Sequence, residues 1–134
     1  MGFLSRLFGQ KQKAIASLPG PGEFAIDVVG ESKYQDALEA ICGGRKSESH
    51  SKDAVATLVH EDTNPYDNKA VRVDIAGKTV GYLGRESARQ YRAKLQKAGY
   101  PDITATCAAL IVGGWDNGKG SRGHFGVKLD LPTV

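Results

Sequence analysis

Apolar and polar residues alternate along FAIDVVGE (24–31) and AVATLVHE (54–61) with the period of two expected of strands that face a core on one side. Two shorter runs, 70–75 and 79–83, carry the same alternation, and Ala76-Gly77-Lys78 between them supplies the turn of a hairpin. PDITATCAALIVGG (101–114) and GHFGVKLDLP (123–132) read as two last strands joined by a glycine-rich loop. The period changes to that of a helix twice. Tyr34, Ala37, Leu38 and Ile41 share one face of YQDALEAICGG, which Gly43-Gly44 stops. Ala88, Tyr91, Leu95 and Ala98 share one face of RESARQYRAKLQKAG, which ends at Gly99. RKSESHSKD (45–53) reads as a polar loop.

Short strands around two helices, with glycines at the bends, predict a mainly β domain: a small, OB-like, partly open β-barrel. The breaker cluster LPGPG (18–22) opens that domain, so the chain divides into a tail or linker at 1–22 and a folded unit at 23–134. In the tail, Phe3, Leu4, Leu7 and Phe8 fall at helical spacing among basic residues. That pattern suits an amphipathic segment docking to a partner or a membrane surface, or a plain accessory tail.

Composition changes this picture in three places. No apolar run reaches the roughly 18 residues needed to span a bilayer, so no transmembrane segment is expected. Cys42 and Cys107 are far apart and have no CxxC partner, which favours two free thiols in a reducing compartment, the cytoplasm. The net charge of +3 is carried by Arg6, Lys11 and Lys13, leaving 15 basic and 15 acidic residues in the rest of the chain. Residues 69–97 nevertheless hold eight Lys/Arg against Asp74 and Glu86, a local +6 that predicts a one-sided field.

Several chemistries fail on spacing. Residues 113–119, GGWDNGK, match the opening of a phosphate-binding loop, but Gly120 stands where Ser or Thr must hold magnesium, and GSRGHFG cannot begin a helix. A calcium loop starting at Asp62 breaks at Tyr66, Asp67 and Val73. His50, His60 and His124 share no ligand spacing with the cysteines, and Cys107 lies in an apolar strand that predicts an inert thiol. No metal, no cofactor and no enzymatic activity are expected. In the glycine-rich loop, Trp115, Lys119 and Arg122 suit a base and its phosphate; equally, Trp115 suits a cap on the barrel.

The stretch EDTNPYDNKA (61–70) is different. Pro65 fixes its own φ and pushes Asn64 out of the helical region, which makes a stiff corner. Tyr66 projects from that corner as a stacking platform, a contact worth about 1–3 kcal/mol per base in single-strand binding. Asp67 repels phosphate but accepts a hydrogen bond from a hydroxyl. The competing reading is an Asx-type turn, in which Asp67 and Asn68 only bond nearby amides. Arg85, Arg89 and Arg92 recur at i, i+4 and i+7 as a cationic stripe that follows directly on the hairpin, and with Pro65 at the corner they are expected DNA contacts.

At these residues the chain resembles the HIRAN domain. The likeness runs through VVGESKYQ (28–35), LVHEDTNPYDNKAVRV (58–73) and GKTVGYLGRESA (77–88), and covers most of the chain from Phe24 to about Leu131. The resemblance implies an OB-like barrel gripping the 3′-hydroxyl end of single-stranded DNA, in DNA repair or replication-fork processing, with a helicase or other repair protein as a further partner. It assigns Tyr66 to the terminal nucleotide, Asp67 to the 3′-hydroxyl, and Asn64 to the shape of the pocket and to sugar or base. Lys33 and Tyr34 match a basic–aromatic pair lining the same pocket, and Arg85 falls where the family has a cation facing phosphate. Gln35 and Gly84 depart from members that carry a second aromatic and a further lysine. A protein-interaction adaptor docking through its N-terminal segment is the alternative.

Overall fold

The computed structural model describes residues 15–132; the amphipathic pattern at 3–8 lies outside them. The chain order is β1 (Ile15–Ser17), β2 (Ile26–Val29), a single 3-10 turn (Glu31–Lys33), α1 (Gln35–Cys42), β3 (His50–His60), β4 (Val71–Ile75), β5 (Lys78–Leu83), α2 (Arg85–Lys97), β6 (Thr104–Gly113) and β7 (Phe125–Leu129). Six strands close into an antiparallel barrel in the order β6-β3-β4-β5-β2-β7, with β7 returning to β6. The OB-like barrel is present, and its ring is closed where the pattern suggested a partial opening.

Two long strands make closure possible. β3 pairs with β6 through residues 50–58 and with β4 through residues 56–60, so it serves two sides of the ring. One edge of β6 lies along β3; the other is shared, with β7 taking Ala109 to Gly113 and β1 taking Thr104 to Thr106. β1 runs parallel to β6 and lies within the segment read as tail. The Asp130 carboxylate draws in the rest of that segment, accepting the amides of Gly22, Glu23 and Phe24 at 2.8, 3.1 and 3.4 Å. A three-residue strand of Ile, Ala and Ser carries too little alternation to be read in advance. The half of β3 at 50–53 was read as loop because, with β6 as its partner, its residues beyond His50 stay exposed and polar.

The barrel encloses Leu58, Val71, Val73, Val80, Ile111, Val127 and Leu129. Ala88, Tyr91 and Leu95 turn α2 toward this core, whereas Ala98, grouped with them by spacing, is exposed in the last turn. Leu38 anchors α1, and Gly43 ends that helix at φ 77°. The β4–β5 turn is two residues, Ala76 and Gly77, at φ 52° and 77°. Both positive angles are what a type I′ turn needs to match the twist of its strands.

Gly81 has a packing reason. A Cβ there would sit 2.5 Å from Val28 Cγ1 and 2.6 Å from the Val29 carbonyl oxygen, so β2 passes β5 only over a bare backbone. Gly81→Ala is therefore expected to lower the unfolding free energy by about 1–3 kcal/mol, seen as a lower urea midpoint at unchanged slope.

Candidate nucleic-acid interface

The loop between β3 and β4 is closed at its base by the Glu61 amide donating to the Ala70 carbonyl at 3.0 Å. Within it, the Asn64 side-chain oxygen accepts the amides of Tyr66 and Asp67 at 2.8 and 3.2 Å. Pro65 between them offers no amide, so the turn closes around its ring. Asn64 Nδ2 donates to Glu61 Oε1 at 3.0 Å. The Asn64 amide is thus engaged at both ends in building the corner: its oxygen is filled by two amides, and one Nδ2 hydrogen is left for the expected contact with sugar or base. Tyr66 is left 89% exposed at the tip, as a stacking platform requires.

Asp67 joins this corner to α2. Arg89 donates from both terminal nitrogens to the two carboxylate oxygens, at 3.1 and 3.2 Å, and Arg85 Nε lies 3.4 Å from Oδ2. The Lys69 amide adds a bond to Oδ1 at 3.0 Å, so the Asx-type turn is also present. The side-chain bond from Arg89, followed by that amide, holds the Asp67 carboxyl below its usual range. The fork-to-fork pair is the geometry in which Arg recognises a carboxylate best.

The three arginines of the stripe have different tasks. Arg92 is 15% exposed and donates to the Lys69 and Ala70 carbonyls at 2.8 and 2.9 Å and to Asp62 at 2.8 Å. It staples the loop to the helix, which corrects its assignment as a DNA contact. Arg89 is half-exposed and neutralised by Asp67. Arg85, 69% exposed, keeps only the long contact to Asp67 and one of 3.5 Å to the Tyr66 carbonyl. It begins α2, whose N-terminus has no side-chain cap, so the positive end of the helix dipole lies beside it.

Sequence reasoning missed the residues beneath the loop. Arg72 and Tyr82 face each other across β4 and β5 on the outside of the barrel. Arg72 reaches Glu61 Oε2 at 3.2 Å and holds Asp74 with two bonds of 3.0 Å, while the Tyr82 phenol lies beside Glu61. Burial first, then that carboxylate, pushes the Tyr82 phenol up to about 12. Tyr34 stands close enough to Tyr82 to interact with it electrostatically. The 3-10 turn packs on β5 and β7, which places exposed Lys33 and half-buried Tyr34 on the Tyr82 side of the loop. The outward alternation of β4 and β5 was the available signal for Arg72 and Tyr82.

Trp115 and Lys119 are elsewhere. Gly113, which leads into their loop, pairs with His50, whereas the NPYDN loop follows His60. The eleven residues of β3, at roughly 3.3 Å each, separate those ends by about 33 Å along the strand. Trp115 lies over Gly123, where a Cβ would come 2.1 Å from the indole nitrogen, and Arg45 braces this end through the Gly123 carbonyl at 2.7 Å. Trp115 is half-buried against its own loop, and Lys119 sits in an exposed turn beside it.

Among the described residues, no group of three or more His, Cys, Asp or Glu is placed to hold a metal ion, and no helix is long and apolar enough to cross a membrane. Comparison with models of known families, with curated proteins and with solved structures found no match.

Two titrations test the geometry. Folding depresses the Asp67 pKa, so its contribution is complete above the ordinary value of about 3.9 and is lost as pH falls through the lower folded value. Arg89→Ala should move the Asp67 carboxyl midpoint upward in an NMR titration. Glu61→Gln should bring one tyrosine from about 12 toward the ordinary value of about 10. Tyr91, raised to about 12 by burial, should stay in place, so ultraviolet titration distinguishes the two.

Proposed function

We propose that this protein is a binding module for the 3′-hydroxyl end of single-stranded DNA, serving DNA repair or replication-fork processing alongside a helicase or another repair protein. The observation that carries the reading is Tyr66, an almost fully exposed aromatic ring on a corner fixed by Pro65 and by six hydrogen bonds of the Asn64 side chain and the Asp67 carboxylate. A flat, solvent-facing ring on a rigid base loses little entropy when a nucleobase stacks on it. Of the HIRAN-like motif residues, Arg85 contacts both Asp67 and the Tyr66 carbonyl, and Tyr34 neighbours Tyr82, which supports the reading.

The arrangement of Asp67 supports a mechanism by exchange. Its weakest partner is Arg85, at 3.4 Å. An arriving terminal hydroxyl donates to Oδ2 in that place, and the released guanidinium turns to the neighbouring phosphate. Arg89 keeps its grip and the carboxylate stays ionised. A terminal phosphate has no proton to donate at neutral pH and meets the Asp67 charge instead. Gln35, where some relatives of the motif carry an aromatic, latches α1 to β7 through the backbone of Phe125 at 2.8 and 3.0 Å. Stacking then rests on Tyr66 and Tyr34.

The test compares fluorescent single strands ending in 3′-hydroxyl with the same strands ending in 3′-phosphate. At least a tenfold preference for the hydroxyl, about 1.4 kcal/mol, is expected. Equal affinity for both ends sinks the proposal. Tyr66→Ala should weaken binding by about 1–3 kcal/mol, and Asp67→Asn should erase the preference. Only Arg85 is released on binding, so log K should fall against log salt with a slope near −0.7, not the roughly −2 of three phosphate-bound arginines. Arg85→Ala should make that line nearly flat.

A further inference from the structure

A second concavity lies on the flank of the same loop. It encloses about 510 Å³ between residues 62–69, the outer side of α2, and the turn at 101–102, and Arg89 borders both it and the Asp67 clamp. From Arg89 to Gln96 the helix carries it about 10 Å away from the Tyr66 corner. Its lining is mostly polar and mixed in charge, with Asn68, Gln96, Lys69 and Asp102 exposed around the small apolar surfaces of Ala93 and Pro101.

A phosphate does not suit this lining. Asp62 and Asp102 both stand in its wall, and Arg92 is fully engaged with carbonyls and Asp62. A nucleobase does. Its face can lie on Ala93 and Pro101, and its edge meets an amide pair that both donates and accepts, beside a carboxylate that only accepts. Carboxylates take hydrogen bonds from the cytosine amine, and Asn or Gln pairs with the adenine edge, while thymine offers no exocyclic amine. We propose that this cleft is a subsite for a nucleobase upstream of the strand terminus, selective for bases bearing an exocyclic amine. The inference rests on the DNA-end reading and extends it from one nucleotide to a short strand running along α2.

The experiment uses the full chain and 3′-hydroxyl oligonucleotides that all end in thymidine. The second and third positions from the end are thymine, cytosine or adenine. Strands with cytosine or adenine there are expected to bind about tenfold tighter than the all-thymine strand. Gln96→Ala combined with Asp102→Ala, both at exposed positions, should remove that difference while the preference for 3′-hydroxyl over 3′-phosphate persists. Equal binding of all three strands, with the hydroxyl preference intact, overturns the subsite alone. Loss of the hydroxyl preference itself overturns the end-recognition reading beneath it. Free deoxycytidine monophosphate is the remaining arm. It should displace no oligonucleotide at concentrations that saturate the strand, and displacement would mean that the cleft serves free nucleotides.

Discussion

Glu61 is the carboxylate on which the loop and the sheet meet. It follows directly on the longest described strand, and its two oxygens receive the side-chain amide of Asn64 and the guanidinium of Arg72, with the Tyr82 phenol beside them. Without it, the Asn64 side chain would lose the anchor that lets its oxygen turn to the amides of Tyr66 and Asp67. Each hydrogen bond to a partly buried carboxylate compensates part of its desolvation. The consequence is mechanical. The exposed ring at the tip is held by polar contacts that converge on one group at the barrel wall, which is how a surface loop keeps a fixed direction without a hydrophobic anchor of its own.

The same reasoning alters the meaning of the local charge. Counted along the chain, residues 69–97 hold a surplus of six positive charges. Folding brings acids from outside that window against them: Asp67 onto Arg89, Asp62 onto Arg92 and Glu61 onto Arg72. Each of these pairs joins the loop and its strand end to a neighbouring element. The cations therefore act first as internal fasteners. At the Tyr66 corner, what remains for an external anion is Arg85, beside the uncapped start of α2. A narrow positive spot of this kind reads one phosphate near an end better than it tracks a long backbone.

Strand and helix positions were legible because their signal is periodicity, which burial in a barrel enforces residue by residue. The β4–β5 hairpin and both helices stand where the alternation and the glycine stops put them. β1 and the first half of β3 were not legible, since each relies on a single partner strand, β6, and has little need for an apolar face. In the site, the stiff corner followed from Pro65 and its polar neighbours, and the nearness of loop and helix from the short hairpin between them. Ownership of each polar group did not follow. Whether Asn64 faces a ligand or an amide, and whether Arg92 faces solvent or a carbonyl, depends on distances set by the closed ring. Trp115 shows the same limit: its chemistry suits a base, but the run of β3 places it at the far end of the barrel.

A site made in this way selects by geometry more than by attraction. Asp67 is already charged, already oriented and already partnered, so a ligand gains only by offering something that the present partners do not. A hydroxyl proton replaces the long contact to Arg85 with a short one and frees a cation for the phosphate next to it; both changes favour the same molecule. An internal stretch of strand offers the phosphate without the hydroxyl and brings its charge against the carboxylate. A small molecule offering a hydroxyl alone leaves the Tyr66 ring uncovered. Ring, carboxylate and cation lie on one corner, and the terminus of a polynucleotide presents a base, a hydroxyl and a phosphate together. The proposed binding of a strand end rests on that threefold match, not on the overall charge.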